Sequence, residues 1–177
     1  MSYCIRELGS ISGVIITASH NPKEYNGYKA YWEDGGQLVT PHDTNVINEV
    51  AKVKADDIKF AANKDLIEIL STDIDKQYLD KVKTISLSPE SIKRQHDLKI
   101  VFTPIHGTTV KLVPDSLKNW GFTNVFNVPE QDVIDGNFPT VWSANPEEPE
   151  ALVMAINKAK EVDAELVMAC DPDGDRL

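Results

Sequence analysis

Leu98-Lys99-Ile100-Val101-Phe102-Thr103, Asn124-Val125-Phe126-Asn127-Val128 and Glu165-Leu166-Val167-Met168-Ala169-Cys170 read as three β-strands, each a short run carrying β-branched, aromatic or other apolar residues. Between them lie segments of helical pattern, Val110 to Trp120 and Glu147 to Glu161. The order βαβαβ predicts a parallel sheet with helices on its faces, because crossover connections put them there. Pro114 lies inside the first helical segment and is expected to delay its start or to kink it.

Upstream the pattern changes. Ser2 to Leu8 reads as the tail of a helix, with Gly9 where a C-terminal cap belongs. Gly13-Val14-Ile15-Ile16-Thr17-Ala18 reads as a buried strand, followed by the polar turn Ser19-His20-Asn21-Pro22. Tyr28 to Trp32 is a second strand candidate, and Asp34-Gly35-Gly36 turns the chain into Gln37-Leu38-Val39. Val46, Ile47, Val50 and Val53 recur at helical spacing after the capping candidates Asp43 and Thr44. Charge-rich helical pieces between Asp56 and Ser91 link the two halves. The fold class expected is α/β in two units: a mixed-sheet first unit, residues 1–74, and a mainly parallel βαβαβ second unit, residues 75–177.

Composition narrows the function. Eighteen Lys and Arg against 28 Asp and Glu give a net charge of −10, poor footing for a nucleic-acid backbone, so no nucleic-acid partner is expected. The two cysteines, Cys4 and Cys170, form no CxxC pair and suggest neither a disulfide framework nor a zinc site. No apolar run is long enough to span a bilayer and no signal-peptide layout is present, so a cytoplasmic protein without a membrane partner is expected.

In an open parallel sheet, ligands bind outside the carboxyl ends of the strands. Three loops follow the strands and are expected to share that edge: Thr103-Pro104-Ile105-His106-Gly107, Pro129-Glu130 and Asp171-Pro172-Asp173-Gly174-Asp175-Arg176. The last sets three carboxylates on alternating residues. At an effective dielectric of about 20 each pair repels by on the order of 2 to 4 kcal/mol unless a cation or proton intervenes. Oxygen-only ligation suits Mg²⁺, with Ca²⁺ and Mn²⁺ next. The competing reading is a solvated acidic turn. An EF-hand does not fit, since Gly174 stands fourth where that loop needs glycine sixth. A phosphatase of the haloacid dehalogenase type offers a closer rival in Cys170-Asp171-Pro172-Asp173, but there the motif opens its domain. The second signal is Thr17-Ala18-Ser19-His20-Asn21-Pro22, a hydroxyl in a turn with an imidazole beside it. A base or a metal would make Ser19 an acceptor and donor of a phosphoryl group. An ordinary Asx or Ser turn before Pro22 is the alternative.

Together these loops resemble the α-D-phosphohexomutase family, which includes phosphoglucomutase and phosphomannomutase. Thr17 to Pro22 looks like its phosphoserine loop, Asn26-Gly27-Tyr28-Lys29 like the segment after it, and Asp171 to Arg176 like its metal loop. Thr103 to Gly107, Phe138-Pro139-Thr140 and Asn145-Pro146-Glu147-Glu148 are also similar to family segments, in the right order. The resemblance implies that Ser19 carries phosphate and that Asp171, Asp173 and Asp175 hold one Mg²⁺ together with an oxygen of that phosphoserine. It implies Lys29 and His20 as acid and base toward a sugar hydroxyl, and Arg176 as a support for the Ser19 phosphate. Lys29 on the solvent face of a strand, and Arg176 paired with a nearby carboxylate, are the plainer alternatives.

The implied reaction interconverts hexose 1-phosphate and hexose 6-phosphate through a phosphoserine and a bisphosphate intermediate. Net phosphate release by a phosphatase-like transferase, or a non-catalytic metal-binding module, are the other readings. Whole enzymes of this kind have four domains, and the resemblance covers most of the first and most of the second. Domains three and four are expected to be missing partners, and the fragment alone is expected to bind sugar phosphate weakly without turning it over.

Overall fold

A computed structural model covers residues 1–177. The chain forms two compact units, Met1–Ile16 with Gly27–Ile74, and Thr17–Asn26 with Asp75–Leu177.

The first unit opens with α1, Ser2–Glu7, capped by Leu8 and followed by Gly9 at φ 61, a left-handed turn that favours glycine. β1, Ser12–Ile16, pairs antiparallel with β2, Tyr28–Trp32, with Ile15 opposite Lys29 and Ile16 opposite Tyr28. The β1 strand ends two residues before the expected Ala18, and it is not buried: Val14 is 41% and Ile16 60% exposed. The cause lies in the layering. The two-stranded sheet meets α1 on one face, where Gly13 leaves room for the buried Ile5 side chain, and the residues of the other face stand open. A turn at Gly35 follows β2, closed by Gly35 N–H donating to the Trp32 carbonyl at 2.9 Å. Next comes α2, His42–Val50, which begins behind Pro41. Asp43 and Thr44 therefore lie inside the helix rather than capping it, and Val53 lies beyond its end.

The second unit contains most of α3, Thr72–Lys83, then α4, Pro89–Arg94, and the expected alternation of strands and helices. β3, Lys99–Thr103, lies between β4, Asn124–Asn127, and β5, Leu166–Ala169, and pairs parallel with both. Ile100, Val101 and Phe102 are almost wholly buried, as a central strand covered on both faces demands. α5, Leu112–Trp120, starts two residues before Pro114, which sits in the first turn where its missing N–H is tolerated, and closes at Gly121, φ 118. The last helix begins later than expected. Pro149 opens a 3₁₀ turn over Pro149–Leu152, and only then does α6, Val153–Val162, form. Ala155 and Ala159 of α6 pack on Val101 and Val128, joined by Phe126 and Val167. A second cluster, Ile105, Ala144, Ala151 and Ala169, lies under the loops at the carboxyl ends of the strands.

Candidate active site

Because β3, β4 and β5 run parallel, the loops after them emerge along one edge, as the strand pattern predicts. Backbone hydrogen bonds tie them together: His106 N–H donates to the Gln131 carbonyl and Thr108 N–H to the Pro172 carbonyl, each at 2.9 Å. The Thr17–Asn26 loop completes the second unit at the same place, since Thr17 and Ser19 reach the acidic loop.

Within the loop, Thr17 Oγ1 accepts from Ser19 N–H at 2.9 Å and donates to Asp173 Oδ2 at 3.3 Å. Ser19 takes φ 53, a left-handed conformation uncommon for a residue with a side chain and frequent at functional turns. Its Oγ donates to Asp171 Oδ2 at 2.5 Å and lies 3.1 Å from His20 Nδ1, which is itself 3.8 Å from Asp171 Oδ2. With the serine proton directed at Asp171, Oγ is left to accept, so Nδ1 of His20 carries the hydrogen in this arrangement.

Asp171 is completely buried. Its Oδ1 accepts from the backbone N–H of Asp175 at 3.1 Å and of Arg176 at 3.0 Å, so the loop folds around this one carboxylate. Burial pushes the Asp171 carboxyl above the ordinary carboxylate range, against the Ser19 and Arg176 hydrogen bonds that pull it down, and neighbouring Asp173 raises it further. One oxygen from each of Asp171, Asp173 and Asp175 can be chosen so that all lie within 4.8 Å of one another. Three hard oxygen donors at that spacing, one of them buried and disfavoured as a bare anion, suit a divalent cation of the Mg²⁺ type.

Arg176 directs its guanidinium to Glu147, Nη1 to Oε1 2.9 Å, with the arginine side chain 38% exposed. The partner comes from the Asn145-Pro146-Glu147-Glu148 segment, whose residues carry no role in the sequence reading. Lys29 lies on β2 in the first unit. The part played by Thr17 is also missing from the sequence reading; its signal is the Ser/Thr turn spacing of a hydroxyl two residues before Ser19.

The model of the phosphoglucomutase/phosphomannomutase α/β/α domain II matches residues 76–177, and that of domain I matches residues 1–57. The chain belongs to the phosphoglucomutase/phosphomannomutase family. A phosphoglucomutase of Staphylococcus haemolyticus is 41% identical over 182 residues, covering 100% of this chain and 32% of the relative. A phosphomannomutase of Mycoplasmoides pirum is 39% identical over 177 residues, 99% of this chain and 32% of its own. The crystal structure of a phosphoglucomutase/phosphomannomutase family protein from Burkholderia thailandensis superposes with a TM-score of 0.66 at 26% identity, over 92% of this chain and 31% of that one. The chain thus spans about a third of the length of the curated relatives it matches. No helix in it is long and apolar enough to cross a membrane.

Proposed function

We propose that these residues supply the phosphoserine and metal loops of a phosphohexomutase that interconverts hexose 1-phosphate and hexose 6-phosphate. The observation that carries this reading is the 2.5 Å hydrogen bond from Ser19 Oγ to Asp171 Oδ2, which sets a nucleophile against a cluster of three carboxylates. Ser19 holds the phosphoryl group between turnovers. It passes that group to a hydroxyl of the sugar monophosphate, forming a bisphosphate, and takes the other phosphate back, so that the net change is isomerisation. Asp171, Asp173 and Asp175 would hold Mg²⁺, which when bound offsets the charge that develops on the transferring group.

Among the chain's own groups, His20 stands beside the serine hydroxyl and moves a proton at that oxygen or at the sugar. Lys29 is assigned the complementary acid or base role. Arg176, on leaving Glu147, pairs with the Ser19 phosphate as a charge-assisted donor. Because the chain spans a third of its relatives, we assign turnover to a whole enzyme and expect these 177 residues alone to bind sugar phosphate weakly and not to isomerise it.

Labelled hexose bisphosphate provides the test. The wild-type chain, with Mg²⁺, is expected to take up label at Ser19, and Ser19→Ala to take up none. Label that persists in Ser19→Ala ends the nucleophile assignment.

A further inference from the structure

Beneath the acidic loop lies a buried polar chain that the reaction does not use. Thr103, His106 and Gln131 are at most 1% exposed. Ile105 N–H donates to Thr103 Oγ1 at 3.1 Å, and that hydroxyl donates to Gln131 Oε1 at 2.7 Å. Gln131 Nε2 donates to Thr140 Oγ1 at 3.2 Å, and the Thr140 hydroxyl lies 2.8 Å from His106 Nε2. His106 Nδ1 lies 2.8 Å from the Val133 carbonyl.

A carbonyl can only accept, so Nδ1 of His106 carries hydrogen; in a neutral ring Nε2 then accepts from the Thr140 hydroxyl, which itself receives from Gln131. The result is an ordered chain in which each member bonds the next, of the kind that rigidifies a site. It adjoins a backbone in an uncommon conformation. Ile105 and His106 take φ 45 and 63, two consecutive left-handed residues, one of them β-branched.

That strained turn is the surface on which the acidic loop rests. A Cβ on Gly107 would strike the backbone of Pro172, so the two segments meet without a side chain between them. Thr108 donates to the Pro172 carbonyl twice, from N–H at 2.9 Å and from Oγ1 at 3.0 Å. At the next residue, the Thr109 methyl fills the space where a side chain on Gly174 would go. Pro172 and Gly174 alternate with the three aspartates, so the end of the turn, with Thr108 and Thr109 directly after it, grips the loop at the residues between its candidate ligands.

We propose that His106, Gln131 and Thr140 are positioning residues that lock the Thr103–Gly107 turn as a template for the acidic loop, and through it set the spacing of Asp171, Asp173 and Asp175 for cation capture. This rests on reading that loop as a metal site. None of the three touches the cation or the substrate.

The test uses the full 177-residue chain and Mn²⁺ alone as the probe, with free Mn²⁺ followed by electron paramagnetic resonance. Thr140→Val keeps the shape and removes the hydroxyl, and is expected to weaken Mn²⁺ binding by on the order of 10-fold, the lower end for partners outside the ligand shell. Thr140→Ser is expected to restore it. Val162→Ala, at the far end of the sheet, is expected to lower the melting temperature and leave Mn²⁺ affinity unchanged. Nitrogen-15 shifts of the His106 ring in the wild type are expected to show hydrogen on Nδ1. Equal affinity in folded Thr140→Val, affinity loss in Val162→Ala matching its loss of stability, or a His106 ring without hydrogen on Nδ1 would each overturn the proposal. A wild type that binds no Mn²⁺ removes the metal-site reading, and this proposal with it.

Discussion

Asp132 shows how much one partly hidden carboxylate can report. Its Oδ2 accepts from Asn127 Nδ2 at 3.0 Å, while Oδ1 is buried with no hydrogen-bond partner. Burial pushes its carboxyl above the ordinary range, and the Asn127 bond only partly opposes this. A carboxyl raised on folding binds its proton more tightly in the native state. Its stabilising contribution is therefore present below the unfolded-state pKa and is lost as pH rises through the higher folded value. Urea denaturation from about pH 4 to 7 is expected to show the wild type losing stability relative to Asp132→Asn as pH rises; a flat difference would contradict the assignment. The Arg176–Glu147 pair makes the opposite case. Both side chains are well exposed, so Glu147→Gln is expected to change unfolding free energy by less than about 1 kcal/mol, although it frees the guanidinium for another anion. A larger change by the same denaturation measurement would mean that the pair is structural.

Among the elements, β3 and β1 are alike in sequence and opposite in consequence. Phe102 of β3 is wholly buried, and Phe102→Ala is expected to cost about 3 to 5 kcal/mol. Val14 of β1 is 41% exposed, and Val14→Ala is expected to stay within about 0.5 kcal/mol. Thermal melts of the two variants check both. This contrast also marks what a sequence reveals. Ile100-Val101-Phe102 and Val14-Ile15-Ile16 are both apolar runs, and a run alone does not say whether a second layer covers it. The second unit was legible because its strands and helices alternate and each strand is short, apolar and followed by a polar loop. The start of α6 was not, since proline and acidic residues at 147–150 suit the first turn of an α-helix, while the backbone there winds as 3₁₀. Nor was the His106, Gln131 and Thr140 chain, whose members stand up to 34 residues apart and carry no common motif. The candidate site was readable from Ser19 and the three aspartates because each sits in a turn directly after a strand. Its electrostatics, above all the burial of Asp171, emerges only on folding.

For the molecule as a whole, burial is divided unequally. Ile5 is the only buried large hydrophobic residue in positions 1–74, whereas both hydrophobic clusters belong to the second unit. Native-state hydrogen exchange is therefore expected to release the amides of β1 and β2 well before those of β3, and uniform protection would refute this. Mg²⁺ at 100 times its dissociation constant is expected to add about 2.7 kcal/mol to the stability of the second unit, lost on chelation and absent in Asp171→Asn. Denaturant melts with and without chelator measure it.

The ten residues from Thr17 to Asn26 belong to the second unit although both their covalent neighbours belong to the first. A border drawn on the gene near residue 75 is consequently not a border in space. Anyone who expresses the downstream half as an independent module receives the acidic pincer without the hydroxyl it faces, while the upstream half carries a serine stripped of its surroundings. Re-joining the loop through a new linker, or adding it back as a synthetic peptide, is the way to work with the second unit by itself.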